Sequence, residues 1–118
     1  MSNALKDFFS AWSDENPETR KTTLAGAMAP DFAYADPKTD SQIKDLDALT
    51  DYVGEFSAGA PGWTATVMQI DTIAGFDRVL VGFGDAGGIQ MHGQYFGKTD
   101  GEGRIRRLIG FKGTGSPE

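Results

Sequence analysis

The chain has 118 residues, enough for one domain over 1–118 that buries about two-thirds of the surface its unfolded form exposes. With 39% hydrophobic and 11% aromatic residues a packed core is expected, and wholesale disorder is excluded. A formal charge of −6 argues against nucleic acid or an anionic membrane as partner, and the lack of cysteine removes disulfides, thiol catalysis and cysteine–metal sites together.

In chain order, the first expected element is a helix over about residues 3–14. Leu5, Phe8, Phe9 and Trp12 fall at i, i+3, i+4 and i+7, a single apolar stripe. Asn16 then offers a cap and Pro17 a preformed first turn for a second helix over about 17–28, which would bury Leu24, Ala27 and Met28. Ala29-Pro30-Asp31 is expected to stop it. A short strand Phe32–Asp36 follows, with Phe32, Tyr34 and Asp36 on one face because strand side chains alternate. Residues 37–45 read as a polar surface loop. Asp45 caps a third helix over about 46–57, with Leu46, Leu49, Val53 and Phe56 inward and Tyr52 on its flank.

From Trp63 the period changes to two, and four strands are expected at about 63–74, 77–84, 88–99 and 104–112. The breaks are Gly75-Phe76-Asp77, Asp85-Ala86-Gly87 and Asp100-Gly101-Glu102-Gly103. This order gives an α+β fold, three N-terminal helices packed on a strongly curved antiparallel sheet. Glycines at 82, 84, 93, 97 and 110 inside the strands point to bulges and kinks, and a bent sheet against helices leaves a cavity at its open end.

Asp36 closes the aromatic face of the first strand, so a cavity lined by Trp12, Phe32, Tyr34 and Phe56 would desolvate it and suit it as a general base. The plainer reading of Asp36-Pro37 is a turn whose loop the carboxylate caps. Tyr95 shares a strand face with Met91, Gly93 and Gly97, leaving space for a ligand to reach its hydroxyl. Tyr34 and Tyr52 are alternative donors, Tyr34 the reserve and Tyr52 on the helix flank. His92, the only histidine, belongs by alternation to the opposite, convex face. With one histidine and no His-x-x-x-His pattern, no metal or other cofactor is expected. No basic leader precedes an apolar run, and no apolar run is long enough to span a bilayer, so a cytoplasmic protein without membrane contact is expected.

The ordered set of features resembles the nuclear-transport-factor-2-like superfamily, with its cystatin-like α+β architecture, and within it the ketosteroid isomerase and SnoaL-like polyketide cyclase branches. The residues that carry the likeness are the aromatic first helix ending Ala11-Trp12-Ser13, the segment Phe32-Ala33-Tyr34-Ala35-Asp36-Pro37, the third helix running into Phe56 and Pro61-Gly62, and the hairpin Asp100-Gly101-Glu102-Gly103-Arg104-Ile105. The resemblance implies a homodimer through the outer sheet face and a deep apolar pocket for a small organic ligand, shaped by Phe8, Trp12, Phe32, Tyr34, Phe56 and Met91. In the isomerase branch the aspartate of the Asp-Pro pair removes a proton beside a ketone, a role that maps to Asp36, while a tyrosine and a protonated aspartate hold the oxyanion. Here the tyrosine position falls at Phe8 or Phe9, which have no donor, and the aspartate position falls near Tyr95. A one-donor hole gives up roughly 3 kcal/mol of transition-state stabilisation, so steroid isomerisation is disfavoured. Two readings stand: a cofactor-free acid–base enzyme of isomerase, cyclase or dehydratase type using Asp36 and Tyr95, and a non-catalytic ligand-binding or protein-interaction module.

Overall fold

The computed structural model describes residues 3–114. Its elements are α1 (Ala4–Ser10), a 3₁₀ turn (Ala11–Ser13), α2 (Pro17–Ala27), β1 (Met28–Ala35), α3 (Leu46–Gly59), β2 (Thr64–Ile73), β3 (Phe76–Asp85), β4 (Gly88–Thr99) and β5 (Ile105–Lys112). The architecture is α+β: three helices and one open five-stranded sheet in the order β1-β5-β4-β3-β2. The helices do not form one N-terminal block, because β1 separates α2 from α3.

The first helix is shorter than its apolar stripe. Asn3 caps it by accepting from the Leu5 and Lys6 amides, and it tightens to 3₁₀ geometry after Ser10. The Ser10 hydroxyl bonds back to the Asp7 carbonyl at 2.7 Å and Ser13 to that of Ser10 at 3.2 Å, a competition with the helical ladder that serine offers. The stripe is nevertheless buried throughout. Asn16 caps α2 through the Glu18 amide at 2.9 Å, with Pro17 at the first helical position.

No loop stops α2. Met28 leaves the helix directly into β1, so Ala29-Pro30-Asp31 lies in a strand rather than in a breaker. Proline is tolerated there because β1 is an edge strand, and the pairing with β5 is irregular between Met28 and Ala33. The expectation of a purely antiparallel sheet also fails, since β1 runs parallel to β5. The two strands are separated by α3 and three other strands, so no hairpin dictates their relative direction.

β2 to β5 form an antiparallel meander whose pairings shift at Val67/Gln69, Phe83/Gly84 and Lys98/Thr99. Such irregularities bend strands. The first hairpin turns one residue earlier than expected: Phe76 and Asp77 already pair, and Ala74 and Gly75 take φ values of 53° and 84°, the doubly positive pattern of a tight two-residue turn.

The core fills the space between the helices and the concave sheet face. Phe8, Phe9, Leu24, Leu49 and Val53 meet Val79, Val81 and Leu108 there. Arg20 is buried between α2 and α3. Its Nε donates to the Asp14 carbonyl at 3.0 Å and its Nη1 to the Thr50 carbonyl at 3.4 Å, with the guanidinium seated against Gly54. This clasp sets the position of α3, which carries one wall of the site. No helix among the described residues is long and apolar enough to cross a membrane.

Candidate functional site

A half-open cavity of about 560 Å³ lies between the helices and the sheet. Trp12 lines it from the 3₁₀ turn, and Tyr52, Glu55 and Phe56 from α3. Asp36, Pro37 and Lys38 reach it from the loop after β1. The sheet contributes Phe83, Met91, Gly93 and Tyr95, with His92, Phe111 and Lys112 also bordering the space. Phe56 is only half-buried while Leu49 and Val53 on the same helix face are fully buried, because Phe56 looks into open volume rather than packed core.

Of the residues singled out in the sequence, Asp36, Tyr95, Trp12, Phe56 and Met91 come together on this wall. Phe8 and Phe32 do not line it: both are buried behind it, Phe8 with its ring 4.8 Å from Phe9 and 5.3 Å from Tyr34. Tyr34 is also fully buried and reaches the site only through its hydroxyl. His92 borders the cavity although its register partner is Gly82 and strand alternation sets it opposite Tyr95.

Asp36 is the centre of the polar network. Its Oδ2 accepts from the Tyr34 hydroxyl at 2.6 Å, and its Oδ1 from the Tyr52 hydroxyl at 2.5 Å and the Lys38 amide at 2.9 Å. Short phenol–carboxylate bonds of this kind are charge-assisted. The turn-cap reading of Asp36 is therefore part of the geometry, reinforced by the Thr39 amide donating to the Asp36 carbonyl at 3.1 Å. A carboxylate offers about four lone-pair directions, and three are taken. The remaining one belongs to Oδ2, on a half-buried side chain at the cavity wall.

Burial pushes the Tyr34 phenol well above the ordinary tyrosine range, helped by its neighbours Tyr95 and Asp36. Tyr52 is raised by burial and by its bond to Asp36. Tyr95 is raised by burial, with contact to Tyr34 opposing and Asp36 adding to the shift. All three are proton donors at any physiological pH. Tyr34 has one proton and gives it to Asp36, so toward Tyr95 it can only accept. The single Tyr95 proton can therefore go either to the Tyr34 oxygen or to a ligand oxygen in the cavity that Tyr95 lines. Its ring is held between Gly93 and Gly110: a Cβ on Gly110 would stand 2.4 Å from Tyr95 Cε2, and one on Gly93 3.2 Å from Cε1.

The Trp12 indole N–H is buried with no acceptor among the described residues, amid the rings of Phe8, Phe9, Tyr52, Phe56 and Phe83. Sequence reasoning named Tyr52 only as an alternative donor and placed it on the helix flank, whereas its hydroxyl bonds Asp36 at the cavity wall. The signal was present, since Tyr52 stands three residues after Leu49 and four before Phe56 on the same stripe. Phe83, Lys38 and Lys112 carried no comparable signal. No group of three or more histidine, aspartate or glutamate side chains among the described residues is placed to hold a metal ion.

No protein-family model matches the chain, and no curated protein matches it significantly. Solved structures do. A SnoaL-like family protein from Agrobacterium tumefaciens strain C58, provisionally assigned as an isomerase, superposes with a TM-score of 0.82 at 21% identity, covering 94% of this chain and 95% of that one. A protein with a ketosteroid isomerase-like fold from Catenulispora acidiphila, solved with trimethylamine, gives 0.70 at 15% identity over 96% and 87%. A de novo designed protein of the nuclear-transport-factor-2 fold gives 0.67 at 13% over 94% and 86%. The chain has the nuclear-transport-factor-2-like fold. A designed protein among the neighbours makes plain that this fold does not of itself carry an activity.

Proposed function

We propose that this chain binds a compact, largely apolar organic molecule bearing a carbonyl or hydroxyl, and that it performs cofactor-free acid–base chemistry on it of the isomerase, cyclase or dehydratase type. The carrying observation is Asp36 at the cavity wall with one lone pair of Oδ2 unclaimed, in a site whose Tyr95 is a protonated donor. In the simplest step the C–H bond beside a carbonyl breaks and its proton passes to Asp36 Oδ2. The electron pair moves onto the carbonyl oxygen, which Tyr95 steadies by a hydrogen bond, and Asp36 later returns the proton. Tyr34 and Tyr52 fix the carboxylate's orientation. The likeness to structures described as isomerase and ketosteroid isomerase-like supports this reading at the level of scaffold.

A non-catalytic binding or interaction module is the second reading, favoured by the structural duty of Asp36 in closing its own turn. Asp36→Asn separates the two. In a screen of carbonyl compounds, an enzyme loses turnover by about 10²–10⁴-fold on this substitution while ligand affinity is largely kept. A binding module shows no turnover before or after it. We further propose a cytoplasmic homodimer joined through the outer sheet face, a reading supported by Phe76 and Phe96, which are 58% and 43% exposed.

A further inference from the structure

The mouth of the cavity narrows the class of ligand, an inference that rests on the binding reading above. Along β3, β4 and β5 the inward row of the concave face is apolar, glycine or phenolic, with Val79, Val81, Tyr95 and Leu108 as its larger members. Lys112 breaks this pattern. The register sets it opposite Gly93, which has no side chain to compete for the space, and it borders the cavity. Lys38 borders the same cavity from the loop after β1. Neither ammonium has a carboxylate within ion-pair distance among the described residues, in a chain with 17 acidic against 11 basic side chains. Two carboxylates face the same space: Asp36, which already takes three hydrogen bonds, and Glu55 on α3.

We infer that the ligand is an organic acid, an apolar body whose anionic group rests at the mouth against Lys112 and Lys38 while its inner oxygen turns toward Tyr95. An anion is costly to bury unpaired, but at a mouth it keeps part of its hydration and gains two cations. The aromatic wall takes the rest of the molecule.

Fluorescence titration with two dyes tests this: 8-anilinonaphthalene-1-sulfonate and N-phenyl-1-naphthylamine, which share a body and differ by the sulfonate. The expected result is that the anionic dye binds about tenfold more tightly, and that its affinity falls with added salt. Replacing both exposed lysines (Lys112→Gln with Lys38→Gln) is expected to bring the two dyes within about twofold of each other and leave the neutral dye unchanged. Equal affinities in the unsubstituted protein, or a preference that survives the double substitution, overturn the inference while leaving the cavity reading intact. Binding of neither dye overturns both.

Discussion

All three tyrosines of the chain, Tyr34, Tyr52 and Tyr95, gather around Asp36, so their titration can be read without interference from any other phenol. Each is raised above the ordinary tyrosine value of about 10, with burial the leading cause. Absorbance at 295 nm is therefore expected to stay flat as pH rises through 10 and to climb only on unfolding, and an alkaline limb should be missing from any pH–rate profile below that point. The linkage has a definite sign. Above about pH 10 the unfolded chain has lost phenolic protons that the folded chain keeps, so the unfolded state binds fewer protons and stability falls with rising pH; below it this contribution is fully present. Urea melts at pH 8 and pH 10.5 check the direction. An early tyrosinate signal from the folded protein would refute the network.

At the scale of elements, β4 and β5 hold the donor in place. Tyr95 pairs with Gly110, and that glycine leaves room for the ring. Gly110→Ala would drive a methyl into Tyr95 Cε2 and is expected to destabilise the protein by about 1–3 kcal/mol and to weaken cavity ligands, read by thermal melts and dye titration. Unchanged melting and binding would mean the ring is not confined as described. The helices were legible because caps and stripes are local: Asn16-Pro17 and Asp45 each begin a helix where their chemistry says they should. The start of β1 was not legible. Pro30 reads as a breaker in isolation, and only the edge position of the strand makes it acceptable.

At the scale of the whole molecule, the outer sheet face carries Phe76 and Phe96 in the open, with Lys98 Nζ 4.8 Å from the Phe76 ring centre and the Phe96 and Phe111 rings edge to face at 5.8 Å. If that face joins two copies, sedimentation should give a dimer that dissociates on dilution, and Phe96→Glu should give a monomer at all concentrations with the fold kept. A monomer before substitution would remove the dimer proposal and leave the cavity reading standing, since Asp36, Tyr52, Phe56 and Tyr95 line it within one chain.

The residues in linear order already determined the element types, the aromatic stripe of α1 and the pairing of Asp36 with an aromatic strand face, because periodicity and capping act over a few positions. Tertiary structure alone decided that β1 runs parallel to β5, that Phe8 and Phe32 lie behind the cavity wall, and that Tyr52, sixteen residues beyond Asp36, closes on its carboxylate. Those outcomes depend on which surfaces meet after the chain crosses from β1 through α3 to the meander, and no local pattern encodes the distance between groups so far apart.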